Sequence, residues 1–467
     1  MASEGVDAPL RVIELFAGTG GFRLGLEGLG TCEHPRNPAF KVVWSNQWEP
    51  STKRQHASEV YAARWGSEGH TNEDIFSVVS DPRKFESIVS AKLDMLVAGF
   101  PCQDYSVAKP ADKAAGIQGK KGVLWWAIHG VLKQLQDAGQ PVKYLLLENV
   151  DRLLKSPTAN RGRDFAIILS SLAALGYAVE WRVVNAADYG FPQRRKRVFL
   201  VAYHCTTALY RRAVVSDKTA AHVAWLTIDG VLPKGLPATY AIDGSRDIRN
   251  CLDSFDVGRD PLAAQADYSA EAKGGSRFKS GGLMHDGKVW TADLRVHPSI
   301  EDKLLDGQLA RVTLGDVVGH TADVPDSHFL TSHALPRWVY LKGGKSAIRT
   351  AANGHEYKYS EGPVTFPDAL DRASRTIITG EGGSAPSRFK HVVKTADGRL
   401  RRLTSEELEE LNGFPRGFTR LEGVSDVKRA FLMGNALVVG VVRAIGSALA
   451  VDHREAEEQA SVHSFVN

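Results

Sequence analysis

The sequence predicts an α/β fold in which a mostly parallel sheet is covered by helices and a less regular segment is inserted late in the chain. Two observations carry this prediction. Six short apolar runs recur through the first 200 residues with helix-spaced stretches between them, the alternation of strand and helix that builds layered α/β domains. The rhythm then stops at about residue 206 and returns only near 403.

The strand candidates are RVIELF (11–16), KVVWS (41–45), DMLVAGF (94–100), YLLLENV (144–150), AVEWRVVN (178–185) and RVFLVAY (197–203). Helical spacing marks VLWWAIHGVLKQLQDAG (123–139) and FAIILSSLAALG (165–176), each closed by a glycine that can take the left-handed turn ending a helix. Residues 206–375 are irregular. Glycine, lysine, arginine and aromatics interleave in GGSRFKSGGLMHDGKVW (274–290) and LKGGKSAIRTAANGHEYKYSEGP (341–363), the composition of a small, loop-rich domain. A helix returns in LTSEELEELNGFP (403–415), opened by the capping box Thr404-Ser405-Glu406-Glu407 and stopped by Gly413. A last helix is expected over 426–450, followed by a polar tail, 453–467, expected to be disordered. There is no internal repeat.

With 467 residues, 43% of them hydrophobic, the chain suits two domains, or one large domain carrying an insertion. The expected division is 1–205, 206–375 and 376–452, the last piece returning to the first. A net charge of +4 permits an anionic partner without demanding one. No apolar run approaches the roughly 18 residues of a membrane span, and the N-terminus lacks the basic-then-apolar order of a secretion signal, so a cytosolic protein without membrane association is expected. Cys32, Cys102, Cys205 and Cys251 form no CxxC pair. Neither a disulfide framework nor a metal site is indicated, and four free thiols are expected. Burial is the ordinary fate of such thiols and is expected of Cys32, Cys205 and Cys251.

Three segments point to chemistry. First, ELFAGTGGFRLGLEGLG (14–30) joins the first strand to a helix, where glycines let the backbone approach a ligand. The dinucleotide fingerprint needs glycine at position 23, where this chain has arginine, so a nicotinamide cofactor is disfavoured. Glu14 suggests a ligand bearing an ammonium group. Trp48, in SNQWEP (45–50), could stack on an adenine, unless it is a core aromatic, and Asp74-Ile75 could bond to and pack against the same ring. Second, GFPCQDYS (99–106) sets Cys102 at a strand end, before a lysine-bearing segment (103–122) able to close over an anion. Third, YLLLENV ends in Glu148, a carboxylate suited to act as an acid unless it is a helix cap or ion-pair member, and DYGFPQRRKRVFLV (188–201) carries a basic cluster into an apolar strand. Strand alternation would turn Arg195 and Arg197 to one face and Arg194 and Lys196 to the other.

These residues, in this order, resemble the DNA (cytosine-5) methyltransferase family of bacterial modification enzymes. ELFAGTGGFRLG, SNQWE, GFPCQDYS, LLLENV, DYGFPQRRKRVFLV, LTSEELEELNGFP and MGNALV carry the resemblance, across about 1–203 and 375–450. It implies a Rossmann-like, S-adenosylmethionine-dependent methyltransferase sheet with 206–375 inserted as a small target-recognition domain. By the same resemblance Cys102 adds to C6 of the cytosine, Glu148 holds a proton on N3, and Arg197, helped by Arg195, fixes the base carbonyl and developing charge. Phe16, Gly18, Gly20, Gln47, Trp48, Asp74, Ile75, Pro101, Asn435 and Ala436 would bind S-adenosylmethionine. Gln47 departs from the acid that many relatives use for the ribose hydroxyls, and Glu49 is a neighbouring substitute. Gln103, Ser106, Thr376, Thr379, Arg388 and Lys390 would contact DNA, although a glycine-rich hinge is an alternative reading of the segment holding the last four. A cytosine inside a duplex hides C6 from a thiol, so the base must be flipped out. A monomer acting on double-stranded DNA is expected, beside a restriction or phage-defence system. The alternatives are a tRNA cytosine-5 methyltransferase and a catalytically idle DNA-binding module. Amino-group methyltransferases, which use an (S/N/D)PP(Y/F) loop, are set aside.

Overall fold

The computed structural model describes residues 8–50, 52–100, 124–214, 219–241, 251–270, 275–319, 324–350 and 354–466. They fall into two compact units: residues 1–189, 196–309 and 439–467 in the first, 190–195 and 310–438 in the second.

The first unit carries strands β1 (Leu10–Leu15), β2 (Phe40–Asn46), β3 (His70–Thr71), β4 (Met95–Gly99), β5 (Tyr144–Val150), β6 (Tyr177–Asn185) and β7 (Lys196–His204). The later strands β8 (Ala238–Tyr240), β9 (Asp253–Asp256), β10 (Gly281–His285), β11 (Lys288–Ala292) and β12 (Leu294–Val296) follow in the same unit. Ten of these make one sheet in the order β3-β2-β1-β4-β5-β7-β6-β10-β11-β9, while β8 pairs with β12 alone. All six strands read from the sequence are present, with each end displaced by one residue at most. The central ones are covered on both faces, which is why they read as unbroken apolar runs: Val12, Ile13, Leu96, Val97 and Leu145 to Leu147 have no exposed surface.

The mostly parallel sheet expected from the rhythm holds for only half of it. β3, β2, β1, β4 and β5 run parallel. From β5 onward, through β7, β6, β10, β11 and β9, every pairing is antiparallel. The physical reason is connection length, because only residues 186–195 separate β6 from β7, too few for the helical crossover that parallel neighbours need. The β10–β11 hairpin corrects a second expectation, since it forms in a stretch whose composition suggests a loop. Asp286 and Gly287 occupy its turn with φ of 56° and 78°, the left-handed pair of a tight two-residue hairpin. The expected 206–375 domain is therefore divided: residues up to 309 complete the sheet, and the rest belong to the second unit.

The second unit contains two hairpins, β13 (Lys345–Thr350) with β14 (Glu356–Glu361) and β15 (Val392–Lys394) with β16 (Leu400–Arg402). The helix Ser405–Leu411 opens with the expected capping box, Thr404 Oγ1 accepting from Glu407 N and Glu407 Oε2 from Thr404 N. The single helix expected over 426–450 is two, Asp426–Asn435 and Val439–Val466, parted by an extended Ala436. The second runs through the tail expected to be disordered. It is anchored in the first unit by buried Asp452 and Ala456 and by a 3.0 Å bond between Tyr144 Oη and His453 Nδ1. Residues 426–459 are apolar enough to cross a membrane by length and composition, but Val442, Ile445 and Leu449 are wholly buried in the first unit. Cys32 and Cys205 are exposed and Cys251 half-buried, contrary to the expected burial, since Cys32 lies in the turn after the helix Gly21–Leu26 and Cys205 just beyond β7.

Candidate active site

Parallel β1, β2, β4 and β5 all release their chains at one edge of the sheet, where open α/β folds bind ligands. Beyond β1, Phe16, Gly18 and Gly20 have φ of 55°, 57° and 87°, so the loop turns sharply. A Cβ on Gly20 would collide with the Trp65 ring, whereas one on Gly18 would meet no atom within 4 Å. Gly18 thus faces an open cradle. Beyond β2, the Gln47 side-chain oxygen accepts from Gly18 N at 2.7 Å and stitches the two strand ends together, while the Asn72 amide donates to the Gln47 carbonyl. Trp48 is 36% exposed, which excludes the core reading. Glu49 is bound through its backbone to Gln55, its N–H donating to Oε1 and its carbonyl accepting from Nε2. Asp74 caps the helix Ile75–Ser80 by accepting from Phe76 N at 3.0 Å, and Ile75 lies in the core at 2% exposure instead of being offered to a ring.

Glu14 corrects another expectation. It is completely buried, accepts from Tyr61 Oη at 3.1 Å, and has its carboxyl pushed up to about 8 chiefly by burial. Its other oxygen accepts from Arg23 N at 3.4 Å, so the carboxyl is engaged by protein groups that hold the strand end and the following helix together.

Near the end of β5, Glu148 Oε1 lies 2.9 Å from Arg197 Nε, with the two side chains 13% and 18% exposed. Antiparallel pairing of β5 with β7 sets Val150 opposite Arg197 and Glu148 opposite Phe199, which lets the two side chains meet. A second Arg197 nitrogen donates to the Lys196 carbonyl at 2.8 Å. On the other side, Glu148 is the register partner of Gly99, the last residue of β4, and its Oε2 lies 3.6 Å from where a Cβ on Gly99 would stand. The Asn149 amide donates to the Phe100 carbonyl at 3.3 Å and fixes the chain where it leaves β4. Sequence reasoning gave Asn149 no such role, although its place in the ENV strand end was the available signal. Pro101, Cys102, Gln103 and Ser106 lie outside the described residues.

Several expected site residues belong to the second unit. Burial alternates as strand geometry requires: Arg195 is buried and Arg197 half-buried, while Arg194 and Lys196 are exposed. Arg195, however, donates to the carbonyls of Ile377 (3.3 Å) and Gly434 (3.1 Å), so it ties segments of its own unit together. Gln193, which sequence reasoning passed over, is completely buried; it donates to Asn412 Oδ1 at 2.8 Å and accepts from Ile377 N at 3.1 Å. Thr376 Oγ1 donates to the Arg194 carbonyl at 2.6 Å, and Thr379 is exposed. Arg388 and Lys390, expected to meet phosphate, spend their donors internally. Arg388 donates to the Leu341 and Gly343 carbonyls, and Lys390, at 5% exposure, donates to those of Gly383 and Ala385 at 2.9 Å. Asn435 is exposed and Ala436 half-buried.

Comparison with known proteins agrees with this geometry. The chain is 41% identical over 441 residues to the Type II methyltransferase M.Sau3AI of Staphylococcus aureus, covering 94% of this chain and 95% of that one. It is 30% identical over 196 residues to the Type II methyltransferase M.HhaI of Haemophilus parahaemolyticus, covering 42% and 49% of the two chains. Among solved structures, S. pombe Dnmt2 methyltransferase superposes with a TM-score of 0.51 at 14% identity over 95% of this chain and 98% of that one. The Entamoeba histolytica methyltransferase EhMeth gives 0.52 at 13% identity over the same shares. At such identities the likeness concerns the fold. The model of C-5 cytosine-specific DNA methylases matches residues 10–227 and 322–450, which include both the β1 loop and the Glu148–Arg197 pair. The chain therefore belongs to the C-5 cytosine-specific DNA methylase family.

Proposed function

We propose that this DNA cytosine-5 methyltransferase acts through Cys102, with Glu148 and Arg197 holding the flipped base, and that it is the modification partner of a restriction system. C5 of cytosine is a weak nucleophile, so the ring is activated by covalent addition. The Cys102 thiolate adds to C6, and the electron pair displaced from the C5–C6 bond makes C5 an enamine carbon. Glu148 holds the proton on N3, and Arg197 offers its guanidinium to the ring carbonyl, so that neither nitrogen nor oxygen carries a full negative charge. S-adenosylmethionine, when bound, supplies an electrophilic methyl group. After C5 is alkylated, loss of its proton returns an electron pair to C5–C6, expels the Cys102 thiolate and restores the aromatic ring.

The observation that carries this reading is the 2.9 Å pair between Glu148 and Arg197 beside Gly99, because Cys102 follows Gly99 by three residues. A carboxylate and a guanidinium so paired, next to the strand after which the sequence places a cysteine, supply two of the groups that the addition requires. For the cofactor, open space at Gly18 and the exposed ring of Trp48 fit a ligand with a chain and an aromatic base, with Phe16, Gly20, Gln47 and Asp74 shaping the same edge. The restriction role rests on M.Sau3AI, a Type II methyltransferase similar over nearly its whole length. That full-length similarity disfavours a tRNA substrate.

The test is a covalent trap. Duplex DNA of many sequences, carrying 5-fluorocytosine and offered with S-adenosylmethionine, should yield a denaturation-resistant protein–DNA adduct, because fluorine blocks release from C5. Cys102→Ala should abolish the adduct. Its persistence in that variant would refute the assignment of the nucleophile.

A further inference from the structure

The β13–β14 hairpin is the strangest part of the second unit, because a two-stranded ribbon is marginally stable by itself and this one is exposed along almost its whole length. Cross-strand pairing puts Lys345, Ala347 and Arg349 on one face with Glu361, Tyr359 and Tyr357. Ser346, Ile348 and Thr350 share the other with Ser360, Lys358 and Glu356. On the first face cations lie on rings: Arg349 is 3.5 Å from the Tyr359 centroid, and Lys345 is 4.7 Å from that of Tyr340, on the adjoining helix. The acid of that face is compensated, since Glu361 accepts from Tyr359 Oη and lies 3.5 Å from Arg388. Tyr340 and Tyr357 are 60% and 44% exposed. The face therefore combines net positive charge with large exposed rings, a patch that marks an interaction surface.

We infer that this ribbon enters the major groove of duplex DNA through its Lys345–Arg349–Tyr357 face and reads the target sequence. Paired strands lie about 5 Å apart and six residues span about 20 Å, dimensions that suit a groove roughly 12 Å wide. Cations carried on a polyanion's partner give affinity, and arginine offers the two parallel donors that recognise a guanine edge. The inference rests on the proposed action upon duplex DNA and adds which residues select the sequence.

The test uses the full-length protein and a fluorescent duplex of the sequence that the wild type methylates, with binding read by anisotropy between low and moderate salt, so no methyl transfer is needed. Arg349→Gln and Lys345→Gln should each weaken binding roughly tenfold to a hundredfold. Each should also lower the slope of log affinity against log salt by about 1. Arg349→Lys should keep the slope and lose discrimination against a duplex altered at a guanine. Lys358→Gln, on the opposite face, should change affinity less than threefold. Far-ultraviolet circular dichroism and the melting temperature check that each variant folds. Unchanged affinity and slope in both first-face variants would overturn the inference, as would a loss confined to Lys358→Gln, while adduct formation by the wild type would still stand.

Discussion

Replacing Glu148 by glutamine separates a catalytic carboxyl from a merely structural one. In the folded protein the pair with Arg197 is 13% and 18% exposed, and the glutamine oxygen can still accept from Arg197 Nε. What is lost is one charge in a charge-assisted bond near solvent, a stability cost of about 1 kcal/mol. For a chain of this size that is a fall in Tm of a few degrees at most. Catalysis should suffer far more. An amide cannot hold the proton on N3, and a missing general acid lowers rates by about 10² to 10⁴. That is about 3 to 5 kcal/mol on the barrier. Single-turnover methyl transfer to the target duplex and the rate of adduct formation on 5-fluorocytosine DNA should both drop a hundredfold or more, with duplex affinity nearly unchanged. Methyl transfer within threefold of wild type would refute the role given to Glu148. A rate loss that follows a collapse in Tm would make its role structural.

Three further outcomes follow from other sites. Gly18→Ala puts a methyl group into the open cradle at φ 57°, so S-adenosylmethionine affinity measured by calorimetry should fall at least tenfold, while the left-handed backbone adds a stability cost of about 1 to 2 kcal/mol. Glu14 is raised by burial from 4.5 to about 8, so the stability it contributes is complete below pH 4.5 and is lost as pH rises through about 8. Chemical denaturation of Glu14→Gln across that window should show a flatter pH profile than wild type. Arg401 makes a two-pronged pair with buried Glu407 at 2.7 and 2.8 Å, and Arg401→Met should cost about 3 to 5 kcal/mol by leaving that carboxylate uncompensated. Urea unfolding checks this, and Arg401→Met combined with Glu407→Gln, which removes the charge but keeps an oxygen to accept from Thr404 N, should recover most of the loss.

Local rules made much of this protein legible in advance. The six leading strands, the helices near 124–137 and 163–174 and the Thr404 capping box were readable because apolar period, glycine stops and cap chemistry act over a few residues. The groups proposed for catalysis also stood out, since a thiol after proline, an acid ending an apolar strand and an arginine leading into the next one are unusual in any sequence. Even the hairpin at Asp286-Gly287 carried a signal, overlooked among its glycines.

Only the tertiary structure decided which of these groups meet. Glu148 and Arg197 are 49 residues apart, and the register of β5 against β7 brings them to 2.9 Å. Arg195, two residues before Arg197, is instead buried on the carbonyls of Ile377 and Gly434, and Arg388 and Lys390 turn inward although their composition suggests phosphate. The chain specifies charges and periods locally. Where a cation finds its acceptors depends on pairings hundreds of residues apart in some cases, set by sheet register and loop closure that no local pattern encodes.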